Sequence, residues 1–209
     1  KGLERLRLSS VEPNTISKEL LETLKATGSY QDHFHIPMQS GCDDILKSMR
    51  RKYDVKFYKE IMALVKEYFP KCSIGADVIV GYPGETDEQF MQTYNLLSEL
   101  PITHFHVFPY SKRKNTTASK ADNHIQADVK KARVKTLINL GSEKLAAFSR
   151  KLIGSTQSVL FEREKDGYFE GYCSSYIKIK VQSDTDLQNQ ILDIRVVDFD
   201  GSKLIGELI

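Results

Sequence analysis

The sequence predicts an α/β fold, a partial TIM-like (β/α) barrel with parallel strands, followed by a small all-β, OB-like barrel. Up to Leu152, strand-like runs alternate with amphipathic helical stretches, which calls for right-handed βαβ crossovers and parallel pairing. Four such strands cannot close an eight-stranded barrel, so this part is a section of a barrel or an open sheet. From Ile153 the helical periodicity stops, and five short alternating strands follow in under 60 residues. The expected division is 1–152 and 153–209.

Each element has its own signal. Leu3 to Leu8 reads as a short strand ended by Pro13. Ser17 or Thr15 can cap a helix carrying Leu20, Leu21 and Leu24, stopped at Gly28. His33 to Met38 is the second strand, followed by Gln39-Ser40-Gly41 and a helix reaching about Arg51. An amphipathic helix from about Val55 to Tyr68 carries Phe57, Ile61, Leu64 and Val65 on one face. The central stretch, Ile74 to Thr86, packs a strand, a tight turn and a helix start into thirteen residues. Ile74, Ala76, Val78, Ile79 and Val80 form a near-continuous apolar run, read as a strand covered on both faces and interrupted by Asp77. Gly81 and Pro83-Gly84 turn the chain, and Thr86 with Gln89 makes a capping box.

Phe90, Tyr94, Leu97 and Leu100 mark the next helix, and His104 to Pro109 the fourth strand. A long helix from about Gln126 to Ile153 presents Val134, Ile138, Leu145, Phe148 and Leu152. The last five strands are Thr156 to Glu164, Tyr168 to Ser174, Ile177 to Gln182, Gln190 to Phe199 and Lys203 to Leu208. Asp166-Gly167 and Asp200-Gly201 are the hairpin signals.

Composition narrows the function classes. With 209 residues, 40% apolar and 28% charged, the chain can bury a real core. It has no apolar run long enough for a membrane helix, and no membrane partner is expected. The first residues carry neither an initiator Met nor a signal-peptide core and read as part of a longer protein. Cys42, Cys72 and Cys173 are too few for a disulfide framework or a cysteine cluster, which suits a reducing, cytoplasmic setting. The net charge of +2 conceals an asymmetry. Tyr110 to Leu152 holds eleven Lys and Arg against three acids, whereas Ile153 to the end holds six against ten. A polyanionic partner would dock on the first segment, at Lys112, Arg113 and Lys114 in the loop after the fourth strand and at Lys130, Lys131, Arg133 and Lys135 on the long helix. The alternative is a solvated helix face.

If the strands are parallel, Glu12, Gln39, Asp77 and Arg51 converge on one rim at their C-terminal ends, where α/β folds bind ligands. Two carboxylates can accept from an ammonium or from ribose hydroxyls, Gln39 can donate and accept, and Arg51 can clamp a carboxylate. The set suits a small zwitterionic nucleoside such as S-adenosylmethionine. His33-Phe34-His35 and His104-Phe105-His106 put two histidines each on one sheet face. Lacking a nearby carboxylate or thiol set in the sequence, they read as packing or substrate-facing residues at a barrel mouth, and no metal site is assigned.

Leu8-Ser9-Ser10-Val11-Glu12-Pro13, His35-Ile36-Pro37-Met38-Gln39-Ser40-Gly41, Met49-Arg50-Arg51-Lys52-Tyr53, Gly75 to Thr86 and Phe108-Pro109-Tyr110-Ser111-Lys112-Arg113 together resemble the radical-SAM tRNA methylthiotransferases of the MiaB/MtaB type. The resemblance covers nearly the whole chain, and its last motif is most similar to the MtaB branch. It implies a role in adding a methylthio group to threonylcarbamoyl-adenosine beside the anticodon, with the tRNA anticodon stem-loop as partner. It also implies Glu12, Gln39, Arg51 and Asp77 as S-adenosylmethionine contacts and a TRAM-like RNA-binding barrel from Ile153 onward. The Cys-x-x-x-Cys-x-x-Cys loop that holds the family's 4Fe-4S cluster is absent, so the clusters belong to the full-length protein and this chain is expected to be inactive by itself. Cys42, which follows Gln39-Ser40-Gly41, reads as a small core residue. Two alternatives stand beside this: a non-catalytic RNA-binding module, and a methylthiotransferase of another branch, acting on isopentenyl-adenosine or a ribosomal protein. A strand edge left open at Leu3 to Leu8 is expected to pair with another copy or a displaced segment.

Overall fold

The computed structural model describes residues 2–114 and 116–209. Three strands, β1 (His33–His35), β2 (Ser73–Val80) and β3 (His104–Pro109), form a parallel sheet in that order. The crossovers are α2 (Asp43–Ser48) with α3 (Val55–Tyr68), and α4 (Asp87–Glu99); α1 (Lys18–Ala26) precedes the sheet and α5 (Ala127–Arg150) follows it. Local chemistry sets the helix starts. The side chains of Ser17, Asp54 and Thr86 accept from Leu20, Phe57 and Gln89 amides, and the Thr86–Gln89 capping box is complete.

Strand β2 is covered on one face only. Ile74, Ala76, Val78 and Val80 are fully buried against the helices, while Asp77 and Ile79 on the opposite face are half-open. The apolar run alone predicts burial on both faces. The difference arises because the described residues place no helix over the Gly75–Asp77–Ile79 face, and that face carries the polar residues described below. Helix α5 also departs from its expected stripe. Leu137 and Leu140 are buried, Ile138 is 52% exposed, and Leu145, Phe148 and Leu152 pack on the second core. The helix serves two bodies in succession, so its buried face is not one continuous stripe.

The expected strand Leu3 to Leu8 does not form. Leu6 and Ser10 make single bridges to Tyr30 and His35, so the segment touches the β1 side without a ladder. The expected pairing of that edge with another copy therefore lacks its template strand.

The second body is a closed five-stranded barrel, β4 (Thr156–Lys165), β5 (Tyr168–Cys173), β6 (Lys178–Val181), β7 (Ile191–Phe199) and β8 (Leu204–Leu208), in the order β4-β5-β6-β8-β7. Val159, Phe161, Ile179, Val181, Ile194, Val196 and Leu204 fill it. At the Asp166-Gly167 turn both residues have positive φ, 53° and 78°, which matches the twist of the flanking strands. The barrel docks under the N-terminal ends of the parallel strands. Ser73 Oγ donates to the Ser175 carbonyl, the Tyr176 ring lies 5.0 Å from that of His33, and the Arg7 guanidinium covers Tyr176 at 3.5 Å.

Candidate functional site

At the opposite pole, where the parallel strands end, an open cleft of about 580 Å³ includes Gln39, Arg51, Asp77, Tyr82, Phe108 and Tyr110 among its lining residues. Gln39 follows β1 with φ of 66°, a left-handed conformation uncommon outside glycine. Its amide and that of Met38 both donate to the Asp77 carbonyl, and Ile79 N–H donates back to Gln39, which ties the loop to β2. Strain of this kind, on the order of 1–3 kcal/mol, persists where the surroundings over-determine it.

Three of the four expected contacts, Gln39, Arg51 and Asp77, line this cleft together. The fourth, Glu12, stands behind them: Arg51 Nη1 donates to Glu12 Oε1 at 3.3 Å. Two of the expected ligands are thus partners of each other. Arg51 Nε is buried with no partner among the described residues. Such a donor costs on the order of 1–3 kcal/mol if left unmet, which leaves it available to an incoming acceptor. Asp77 finds its partner in His35, with Nε2 to Oδ1 at 3.0 Å.

Tyr82, Phe108 and Tyr110 belong to the sequence motifs, but the sequence assigns them no role at the site. Tyr82 and Tyr110 meet edge to face with centroids 5.4 Å apart, and Phe108 stands 50% exposed beside them. The Tyr110 hydroxyl is buried with no partner among the described residues. Aromatic residues flanking the Gly81–Gly84 turn and ending β3 were the available signal.

The turn is braced from α5. Glu85 Oε2 accepts from Gly81 N–H at 2.7 Å and from Arg133 Nη1 at 2.6 Å, and Arg133 Nη2 donates to Asp87 at 2.7 Å. Burial raises the Glu85 carboxyl above its ordinary range, against the pull of Gly81 N–H and Arg133. Arg133, expected to meet RNA, is buried and occupied here, because a guanidinium at this depth must be paired. Lys130 is half-buried and donates to the Tyr110 carbonyl at 3.1 Å. Lys112, Arg113 and Lys114 are exposed after β3 with no ion-pair partner among the described residues, and Arg113 reaches the cleft. Lys131 and Lys135 are exposed on α5.

Below the cleft, the same face carries His33 and His35 on β1 and His104 and His106 on β3. His33 and His104 stack at 5.5 Å, and His35 and His106 at 5.6 Å. This corrects two expectations. His33 and His104 open their strands far from the mouth, and the carboxylate missing from their sequence neighbourhood arrives in space as Asp77. Burial, first of all, pushes the His33 imidazole down to about 3 and His104 down to about 4, so both are neutral near pH 7.

Residues 2–97 match the Radical SAM superfamily. The chain is 34% identical over 202 residues to threonylcarbamoyladenosine tRNA methylthiotransferase MtaB of Bacillus subtilis, a match covering 94% of this chain and 45% of that protein. The chain resembles the radical-SAM tRNA methylthiotransferases. A tRNA-2-methylthio-N(6)-dimethylallyladenosine synthase of Desulfitobacterium hafniense is 33% identical over 209 residues, covering 99% of this chain and 47% of that one. The chain therefore spans about half the length of the methylthiotransferases it matches. Among solved structures, coproporphyrinogen III oxidase from Escherichia coli, described as a Radical SAM enzyme, superposes with a TM-score of 0.57 at 17% identity, over 85% of this chain and 46% of that one. That likeness concerns the fold.

An iron-sulfur cluster does not fit the cysteines of this methylthiotransferase-like chain. Cys42, Cys72 and Cys173 are each buried, at the start of α2, before β2 and at the end of β5, and burial pushes the Cys72 thiol up to about 12. None offers the accessible thiolate that a cluster needs. Among the described residues, no helix is long and apolar enough to cross a membrane.

Proposed function

We propose that this chain is the cofactor- and RNA-binding part of a radical-SAM tRNA methylthiotransferase that modifies a hypermodified adenosine, threonylcarbamoyl-adenosine, next to the anticodon. The observation that carries the reading is the joint placement of Gln39, Arg51 and Asp77 on one aromatic-walled cleft at the C-terminal ends of the parallel strands. S-adenosylmethionine fits this donor set. Arg51, held by Glu12, would bind its carboxylate through the unpartnered Nε, Gln39 and Asp77 would take its amino group and ribose hydroxyls, and Tyr82 or Phe108 would stack on its adenine. Bound there, the cofactor supplies the radical chemistry of its class. The cysteines that would hold the clusters are not in this sequence, and this chain's share is binding and orientation. The five-stranded barrel is read as a TRAM domain, and the protein as cytoplasmic.

The RNA reading is sharpened by what the barrel does with its own cations. Lys178 and Lys203 face Glu170, and Lys180 pairs with Asp200 at 2.6 Å. Lys112, Arg113 and Lys114 carry no such pairing among the described residues and stand next to the cleft. We expect the triple alanine variant of these three to weaken binding of an unmodified anticodon stem-loop more than the triple alanine variant of Lys178, Lys180 and Lys203. Each lost phosphate contact should reduce the slope of log affinity against log salt by about 0.7–0.9. An equal or larger loss from the barrel variant would overturn this assignment and place RNA on the barrel.

A further inference from the structure

We propose that His33, His35 and His104 form a binding site for a divalent transition metal of the zinc type, between the cleft and the docked barrel. This inference shares Asp77 with the cofactor reading, here as the partner that orients His35, and its ligands are other residues. The three residues come from two strands on either side of β2, and one ligand atom from each lies within 4.8 Å of the others. What brings them together is Gly75. A Cβ there would lie 2.7 Å from His104 Nε2 and 2.8 Å from His35 Nδ1, so the missing side chain leaves a notch that two imidazole nitrogens face.

Two of the rings are already held at their far nitrogen. His35 Nε2 meets Asp77 Oδ1 at 3.0 Å, leaving Nδ1 toward the notch, and His33 Nδ1 meets Ser73 Oγ at 2.8 Å, leaving Nε2 free. A carboxylate or hydroxyl on the nitrogen that does not ligate fixes the tautomer and ring orientation that a metal requires. His104 Nδ1 is buried without a partner among the described residues, so the third ring is not spent on another hydrogen bond. None of the three histidines lines the cleft.

Zinc–nitrogen bonds of about 2.0–2.1 Å place tetrahedral ligands roughly 3.3 Å apart, so the rings must close by at most about 1.5 Å, within the reach of small side-chain torsions. Three imidazoles leave one position for water. A metal here would clamp β1 to β3 across β2. It would also stiffen the junction with the barrel, because the His33 ring packs against Tyr176.

The test uses the untagged chain, stripped with chelator and titrated with Co2+ under reducing conditions, followed by Zn2+ displacement. The expected result is one metal per chain, with the visible absorption of a nitrogen-ligated four-coordinate Co2+ and a raised melting temperature. His33→Gln and His104→Gln should abolish the band, whereas His106→Gln should retain it. Asp77→Asn should weaken affinity by about tenfold while leaving the spectrum four-coordinate. Gly75→Ala, which keeps every imidazole but fills the notch, should abolish binding with the metal-free circular dichroism unchanged. Absence of saturable binding would overturn the proposal. So would binding that survives His33→Gln and His104→Gln but is lost in His106→Gln, since that would assign the metal to His35, Asp77 and His106 instead.

Discussion

The turn after β2 and the rim of the β-barrel each bury a glutamate, and the acidities of the two are pushed in opposite directions. Burial dominates at Glu85 and raises its carboxyl, even with Arg133 at 2.6 Å. At Glu170 the Lys203 ammonium comes first, with Arg163 and Lys178 adding to it, and the carboxyl is held down at about 2. The difference lies in what covers each group. Glu85 is enclosed by the backbone of its own turn and by α5, where desolvation is expensive. Glu170 is covered by three flexible cations that themselves reach water, so charge pairing wins. The first arrangement braces a binding turn, and the second consumes the barrel's basic residues.

Arg133→Met should have the largest effect. Removing one partner of an enclosed pair leaves the other uncompensated, and about 3–5 kcal/mol of stability should be lost in urea unfolding. The Glu85→Gln/Arg133→Met double variant should recover most of it. A loss no larger than that of an exposed pair, below about 1 kcal/mol, would mean that Glu85 reaches water after all.

The next effect is pH-dependent and separates the two bodies. His33 and His104 have folded values of about 3 and 4, below the ordinary 6.5. Their contribution is therefore complete above about pH 6.5 and is lost as pH falls toward 4 and then 3, on the order of a few kcal/mol for the coupled pair. Glu170, also depressed, contributes above the ordinary carboxylate range and loses its contribution only as pH falls toward about 2. Glu85, raised, favours folding below the ordinary carboxylate range, and that contribution disappears as pH rises through its folded value. Acidification from neutrality should therefore open the parallel sheet first. Hydrogen exchange of the metal-free chain at pH 7 and pH 4.5, corrected for the intrinsic pH dependence of amide exchange, should show lower protection in β1 to β3 with protection in β4 to β8 unchanged. Simultaneous loosening of both bodies would contradict the histidine assignment.

Glu170→Gln should have the smallest effect, about 1 kcal/mol, because its cations remain solvated. The loss should appear in the barrel amides and vanish in high salt. A salt-independent loss would place Glu170 in the same class as Glu85.

Much of the fold was legible because its signals are local. The Thr86–Gln89 capping box, the Asp166-Gly167 turn and the β5 to β8 alternation each depend on residues close in sequence. The misreadings involve long-range partners. Leu3 to Leu8 has strand-like spacing, but among the described residues it makes only the single Leu6–Tyr30 bridge and no ladder. Arg133 sits in a basic run, and only the approach of Glu85 and Asp87, more than 40 residues away, turns it into a buried brace. The candidate site was legible as four polar residues at strand ends. The Glu12–Arg51 pairing, the aromatic wall and the capture of Asp77 by His35 became visible only once the strands were aligned.

The claim that the strand-end cleft is the cofactor site is tested most directly by mapping backbone amide shifts during titration with S-adenosylmethionine. The predicted result is saturable binding, with the largest shifts at Gln39, Arg51, Asp77, Tyr82 and Tyr110 and none along β4 to β8. Arg51→Ala should weaken it by about 10- to 100-fold, as expected for one charge-assisted contact. Saturable shifts confined to the barrel, or binding indifferent to Arg51→Ala, would contradict the account.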